Sequence, residues 1–133
     1  MVKVVFDTNV LVSSIFWKGK PYQVVRKAAK AEFRNFVSNE MLAELEEVLH
    51  RDFEIDSAGI ARITSTLLLF SSVLKPVVKH EIVADDPDDN IIIDCAVAAK
   101  ARFIVTQDKH LLKIRRFKSI NIVTPDEIMN IFE

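Results

Sequence analysis

Three aspartates occupy positions at which a carboxylate could do chemistry. Asp7 follows the largely apolar segment 2–6, and Asp108 comes soon after the apolar segment 103–105. Ligands of an open parallel sheet bind beyond the carboxyl ends of its strands, so two neighbouring strands would bring these carboxylates together. Asp89 opens a helical pattern, where the helix dipole stabilises negative charge. The sequence therefore predicts one acidic site at one edge of a sheet.

Such a site predicts a bound cation. Carboxylates about 4 Å apart repel each other by about 4 kcal/mol at an effective dielectric constant of about 20. Asp85, Asp86 and Asp88 add further negative charge in the loop before the helix. Cys95 is the only cysteine, and its place in an apolar helical run predicts a core residue rather than a ligand or a nucleophile. Oxygen ligands favour Mg²⁺ or Mn²⁺, which also take phosphate oxygens, so metal-assisted hydrolysis of a phosphodiester is the favoured reaction.

The residues after the first strand also have a simpler interpretation. Asp7, Thr8 and Asn9 all cap helices well, so Asp7 could serve only as the cap of the next helix. The sequence around Asp7 alone leaves both interpretations open. The later acids Asp89 and Asp108 favour a metal ligand, and the capping role can hold at the same time.

The elements that position these acids alternate between strand and helix patterns. Strands are predicted at residues 2–6, 33–37, 103–105 and 120–123, with an edge strand at 77–78. Helices are predicted at residues 10–16, 21–31, 38–50, from 56 or 57 to 74, 89–101 and 109–114, and from Pro125 onward. This alternation predicts an α/β domain of three layers, α/β/α, around a mostly parallel sheet of about five strands.

The helix predicted to end before Pro76 has more apolar residues than one packing face needs. They run from Ile60 through Ile63 and Leu67 to Leu74. Such a helix is either central or part of a subunit contact.

The composition limits the class of protein. The 133 residues, of which 50% are hydrophobic, predict a single globular domain over residues 1–133. A net charge of -1 argues against coating nucleic acid by bulk charge, but it allows a nucleic-acid enzyme with cations in its site. No apolar stretch reaches the roughly 20 residues that span a membrane, and the chain opens on a strand rather than a signal peptide. We therefore expect a cytoplasmic protein.

Four segments carry a resemblance to a known family. They read VFDTN at residues 5–9, SNEMLAELEEVL at 38–49, DPDDNIIIDCAVAA at 86–99 and IVTQDKHLL at 104–112. In this order they resemble the PIN-domain ribonucleases, of the kind found as VapC-type toxins of prokaryotic toxin-antitoxin pairs. The resemblance covers essentially the whole chain. It implies a metal-dependent endoribonuclease that uses Mg²⁺ or Mn²⁺, with RNA as substrate, a small antitoxin protein as partner and a homodimer as assembly.

By this resemblance, the family's acidic positions fall on Asp7, Glu44, Asp89 and Asp108, as catalytic residues and metal ligands. Glu44 is the position that physical reasoning supports least. Glu44 and Glu46 both lie about 100° from the centre of the apolar stripe of their helix, so periodicity does not separate them. The family pattern selects Glu44, and the number of metal ions, one or two, stays open.

Several other residues are predicted to support the acidic site. Thr8, Asn9 and Thr106 would orient carboxylates or shape the turn, although capping and turn formation explain them equally well. Asp94 is a weak candidate for an auxiliary ligand, because it lies about 140° round the helix from Asp89.

A basic segment, residues 109–118, follows Asp108 and could hold the phosphates of RNA. A solvated helix face is the more ordinary interpretation of such a segment. The candidate side chains for RNA contact are Lys109, Lys113, Arg115 and Arg116. No histidine is assigned a role, because His80 and His110 lack the spacing of ligands and His50 ends a helix.

Other classes of protein compete with a nuclease toxin. A PIN-like module could bind RNA or a protein without cutting, and a housekeeping nuclease could process RNA. A phosphotransfer domain also places an aspartate after its first strand. The phosphatase pattern needs a second aspartate where this chain has Asn9, and the receiver pattern needs a paired acid upstream and a late lysine on a strand. Neither phosphotransfer pattern is met.

Overall fold

The computed structural model describes residues 1–81 and 87–132, with the backbone alone for residues 87 and 88. The predicted acids Asp85 and Asp86 therefore lie outside the described residues, and so does the side chain of Asp88.

A mostly parallel sheet occupies the centre of the described chain. Its strands are β1 (Lys3–Phe6), β2 (Arg34–Ser38), β3 (Ser71–Leu74), β4 (Phe103–Val105), β5 (Arg116–Phe117) and β6 (Ile120–Val123). The strand order is β3-β2-β1-β4-β6-β5, and every neighbouring pair is parallel except β5 with β6. The predicted α/β class with a mostly parallel central sheet is confirmed, with six strands in place of about five.

Helices flank this sheet in the described part of the chain. They are α1 (Thr8–Phe16), α2 (Lys20–Ala29), α3 (Asn39–Phe53), α4 (Ser57–Leu68), α5 (Pro87–Ala99), α6 (Lys109–Ile114) and α7 (Pro125–Ile131). Of these described helices, none is both long enough and apolar enough to cross a membrane.

Burial explains why β1 lies at the centre of the sheet. Val4, Val5 and Phe6 have no exposed surface, and the strand pairs with β2 on one side and β4 on the other. Strands buried on both faces have continuous apolar sequences, because neither face meets water. This strand fixes the position of the residue that follows it.

Side-chain hydrogen bonds cap the N-termini of five described helices, among them α3, α4 and α7. Ser38 Oγ accepts a hydrogen bond from the Met41 amide (3.2 Å) at the start of α3, and Asp56 Oδ1 accepts one from the Gly59 amide (2.8 Å) at the start of α4. Thr124 and Glu127 form a reciprocal capping box on α7. Each cap satisfies amide groups that have no partner within the helix.

The prediction of one long helix from residue 56 or 57 to 74 is wrong for residues 69–74. The helix α4 ends at Leu68, and residues 71–74 form β3, which pairs in parallel with β2. The Ser71 hydroxyl donates a hydrogen bond to the Leu67 carbonyl (2.7 Å) and accepts one from Asn35 Nδ2 on β2 (2.7 Å). These bonds end the helix and attach the next residues to the sheet.

The predicted edge strand at residues 77–78 is also wrong. Val77 and Val78 are exposed and belong to no strand, and β3 occupies that edge of the sheet instead. At the opposite edge, the short strand β5 pairs with β6 across a tight turn in which Lys118 has a φ of 54°. A two-residue strand gives no periodic signal, which is why the sequence did not predict it.

The helix α5 packs against β1, β2, β3 and β4, so it covers the middle of the sheet. Its Cys95 is fully buried, and burial raises the pKa of the thiol to about 12, with a smaller contribution from the charges of Glu40 and Asp94. The thiol therefore stays protonated at neutral pH. This agrees with the prediction of a core residue.

Candidate metal-binding site

Asp7 lies immediately after β1 and is 4% exposed. Its amide donates to the Val105 carbonyl (2.9 Å), so the pairing of β1 with β4 continues to this residue. Its Oδ1 accepts a hydrogen bond from the Thr8 amide (2.7 Å), which makes it the N-cap of α1. The capping interpretation is correct, and the same carboxylate lies at the predicted edge of the sheet.

The hydroxyl of Thr106 connects the ends of β1 and β4. Thr106 is fully buried, and its Oγ1 donates to Asp7 Oδ2 (2.6 Å) and accepts from the Asp108 amide (3.0 Å). A hydroxyl has one proton, so the acceptor Asp7 determines which way the hydroxyl points. Thr106 therefore fixes the side chain of one aspartate and the backbone of the other.

Asn9 provides a second link between the same two segments. Its Nδ2 donates to Asp7 Oδ2 (3.2 Å), and its Oδ1 accepts from the Gln107 amide (3.3 Å). Thr8 contributes a buried hydroxyl that has no hydrogen-bond partner among the described residues. Asn9 and Thr106 thus both connect Asp7 to the segment that follows β4.

Asp108 is the N-cap of α6. Its Oδ1 accepts a hydrogen bond from the His110 amide (2.7 Å), and its side chain is 23% exposed. The helix start therefore holds this carboxylate close to the end of β4 while leaving it accessible to solvent.

Asp89, Asp108 and His110 form a group that we call the ligand triad. One ligand atom from each residue lies within 4.8 Å of the other two. Asp89 is 4% exposed, its Oδ2 is buried, and it lies in the first turn of α5. The predicted approach of Asp89 and Asp108 is therefore found in the structure. Asp7 lies outside the triad and is connected to Asp108 through Thr106.

The sequence reasoning missed His110. His110 lies two residues after Asp108, and this spacing is not typical of metal ligands. The other member of the triad, Asp89, lies on another helix. The start of α6 brings the ring, which is 49% exposed, beside the start of α5. Only the predicted meeting of these two helix starts could have indicated it.

Burial separates the two glutamates of α3. Glu44 is half-buried and its Oε2 is shielded from solvent, whereas Glu46 is exposed. The helix packs against α1, which follows Asp7, and against α5, which carries Asp89. Among the described residues, Glu44 is not a member of the ligand triad. Burial thus distinguishes Glu44 from Glu46, which periodicity does not.

Asp94 has a partner in the segment before α5. The carboxylate is 4% exposed, and its Oδ1 accepts a hydrogen bond from the His80 amide and lies next to His80 Nδ1, both at 2.7 Å. This pairing holds residue 80 against α5, and Asp94 is not a member of the ligand triad.

The basic segment is exposed and begins beside the ligand triad. Lys109 is the first residue of α6, directly after Asp108. The four candidate side chains, all of them exposed, are Lys109, Lys113, Arg115 and Arg116.

These features define a class of protein. It is a parallel α/β domain with a cluster of carboxylates and an imidazole beyond the carboxyl ends of its central strands. A family model described as the PIN domain matches residues 3–110. The chain therefore belongs to the PIN-domain family, a family of nucleases, as the four segments predicted.

One solved structure has a similar fold. It is the crystal structure of VapBC2 from Rickettsia felis bound to a DNA fragment from their promoter, and one of its chains matches with a TM-score of 0.61 and 17% identity. The match covers 92% of this chain and 98% of that chain. At this identity the likeness shows the fold alone. A comparison with curated proteins gave no match.

The substitution Thr106→Val tests the connection between the two strand ends. It removes the donor to Asp7 and leaves the partly buried Asp108 amide without its acceptor, so we expect a loss of about 1–3 kcal/mol in the free energy of unfolding. Urea unfolding in EDTA measures this without a contribution from metal.

Thr64→Val is the matched control, because the Thr64 hydroxyl is buried without a partner among the described residues. We expect that variant to change stability little. Equal stability losses in the two variants would show that the Thr106 bridge contributes nothing specific.

Proposed function

We propose that this chain is a metal-dependent endoribonuclease that hydrolyses RNA phosphodiester bonds as the toxin of a toxin-antitoxin pair. The observation that carries the proposal is the ligand triad, which lies beside an aspartate that Thr106 and Asn9 hold in place within a PIN-domain fold. The catalytic residues of the proposal are Asp7, Glu44, Asp89 and Asp108.

The donor set fits a hard divalent cation. Asp89 and Asp108 place carboxylate oxygens within 4.8 Å of each other, although one of these side chains is almost fully buried. Two such charges repel strongly away from water, and a cation removes that repulsion. The unpartnered hydroxyl of Thr8 adds a polar group beside Asp7. Carboxylates of this kind suit Mg²⁺ or Mn²⁺.

Each residue has a defined part in this proposal. A divalent cation held by Asp89 and Asp108 would activate water and neutralise charge on the phosphate. Asp7 and Glu44 complete the acidic surface that receives the cation. Thr106, Thr8 and Asn9 keep Asp7 in one orientation, so that the site is assembled before substrate arrives.

The substrate proposal rests on the basic segment. Lys109, Lys113, Arg115 and Arg116 are exposed at and after the start of α6, where they can contact phosphates on either side of the cleaved bond. Phosphate contacts hold a nucleic acid without reading its sequence. They therefore give affinity, and they leave the cleavage sequence to other contacts.

The partner proposal has two parts. An apolar groove of about 520 Å³ between α1, α2 and α4 suits a helix of a small antitoxin protein; residues of its wall include Ile15, Tyr22, Val25, Ile63 and Leu67. The structurally similar chain comes from a structure of VapBC2 bound to a DNA fragment from their promoter. A neighbouring gene that encodes a short protein with an amphipathic helix would support the antitoxin, and the absence of such a gene would favour an enzyme of RNA processing.

The second part is a homodimer formed through the edge at β3. Leu69 (87% exposed), Val73 (46%) and Val77 (89%) are apolar side chains at or next to this edge strand. An open edge strand beside exposed apolar residues binds another chain unless it is covered, and a second copy covers it symmetrically. The sequence analysis gave residues 60–74 as a possible subunit contact. We propose the segment 69–77 for the homodimer instead.

Neutral variants of the acids test the proposed reaction. Asp7→Asn and Asp108→Asn remove one negative charge each, and we expect a loss of at least about 100-fold in the rate of RNA cleavage with the fold retained. Cleavage of a labelled RNA with Mn²⁺ and far-ultraviolet circular dichroism measure the two properties. Undiminished cleavage by Asp7→Asn would contradict the proposal, and Mn²⁺ binding without cleavage in the unmodified chain would indicate a non-cleaving module.

Glu44→Gln and Glu46→Gln form a matched pair on one helix. We expect the first to slow cleavage by about tenfold or more and the second to leave it unchanged, because Glu44 is partly shielded from solvent and Glu46 is exposed. The reverse order of effects would assign the fourth acid to Glu46.

Charge reversal in the basic segment tests the contact with RNA. The double variant Lys109→Glu, Lys113→Glu in the Asp7→Asn background should bind a single-stranded RNA more weakly, with a salt dependence of log K reduced by about 0.7 for each lost phosphate contact. Lys30→Glu, an exposed position at the end of α2, is the control. An unchanged salt dependence in the double variant would show that the segment is only a solvated face.

Sedimentation velocity tests the homodimer. We expect the purified chain to sediment as a dimer and Leu69→Asp to sediment as a monomer, because a carboxylate in an apolar contact loses its hydration. Ile131→Asp, at an exposed apolar position on α7, should stay dimeric. A monomeric unmodified chain would refute this assembly.

A further inference from the structure

We propose that His110 is a nitrogen ligand of the cation held by Asp89 and Asp108, and that it shifts the preference of the site from Mg²⁺ towards Mn²⁺. This inference rests on the proposed function, since it concerns the same cation. It adds a ligand of a different chemical kind to a site that the sequence predicts to be built from carboxylates.

The geometry of the ligand triad supports a ring nitrogen as the third ligand. His110 Nδ1 lies 4.0 Å from Asp108 Oδ1, and the three ligand atoms of the triad all lie within 4.8 Å of one another. Ligands of a six-coordinate cation with bonds of about 2.1 Å are about 3.0 Å apart when adjacent and about 4.2 Å apart when opposite. The separations within the ligand triad are therefore close to those that such a cation requires.

The backbone of His110 is fixed beside Asp108. Its amide donates to Asp108 Oδ1 (2.7 Å), and the next residue, Leu111, is fully buried and anchors α6 in the core. The ring itself is half-exposed, so part of it is open to solvent. A fixed backbone with a partly exposed ring suits a ligand of a bound cation.

An ion pair with Asp108 alone is the simpler role for the ring. At 4.0 Å and with half of the ring exposed, such a pair contributes little to stability. It also does not account for the approach of the ring to Asp89, which lies on a different helix. A shared cation accounts for all three contacts of the triad.

The chemistry of imidazole gives the expected selectivity. Mg²⁺ prefers oxygen ligands and keeps its water, whereas imidazole nitrogen suits transition metals. A ligand set of two carboxylates and one imidazole therefore binds Mn²⁺ in preference to Mg²⁺. Removal of the ring should reduce binding of Mn²⁺ more than binding of Mg²⁺.

Pulsed electron paramagnetic resonance of the full chain with Mn²⁺ tests the bond directly. We expect nitrogen coupling to the bound Mn²⁺ in the unmodified chain, its loss in His110→Ala and His110→Gln, and its retention in the control His50→Ala. Calorimetry should show a loss of about tenfold or more in Mn²⁺ affinity for both His110 variants, with Mg²⁺ affinity changed by less than about twofold.

The outcomes distinguish this inference from the proposed function. Mn²⁺ binding that requires Asp108 but shows no nitrogen coupling in the unmodified chain would overturn the role of His110 and leave the nuclease proposal standing. Nitrogen coupling that survives in both His110 variants would also overturn it. Mn²⁺ binding that is the same in Asp108→Asn as in the unmodified chain would refute the proposed metal site itself.

Discussion

The parallel pairing of β1 with β4 sets the positions of Asp7, Thr106 and Asp108 at the candidate site. In this register Phe6 lies opposite Val105, so the next residues, Asp7 and Thr106, leave the two strands side by side. The hydroxyl of Thr106 then connects Asp7 to the backbone of Asp108. A shift of one residue in either strand would turn these side chains to the opposite face of the sheet. The site therefore inherits its geometry from the packing of the core.

The sequence predicts elements well where its local signals agree with the final packing. The strand that ends at Phe6 is a continuous apolar run because it is buried on both faces, and α7 begins with a capping box and a proline. The sequence did not predict the boundary between α4 and β3, because the order of apolar and polar residues in 67–74 suits a helix as well as a strand. Ser71 decides it through bonds to a helix carbonyl and to Asn35, and only the second of these is distant in sequence.

In the candidate site too, local sequence predicts some features and tertiary packing determines the others. The approach of Asp7 to Asp108 follows from two strands that end at one edge, which is a rule of parallel sheets. The choice of Glu44 over Glu46 requires the packing of α3, which periodicity does not contain. His110 requires the meeting of two helix starts. Local sequence thus identifies acids that follow strands, and tertiary contacts identify the groups that approach them from helices.

The bonds around Asp7 bear on how the proposed cation site would form. Thr8, Asn9 and Thr106 hold its carboxylate through protein groups alone. Many small metal sites form only as the chain folds around the ion, so that removing the ion unfolds the domain. Here the strands and their caps supply the order beforehand. If the chain binds a cation as proposed, metal exchange would be uncoupled from folding, and chelation would switch the site off while leaving an intact domain that can be reloaded.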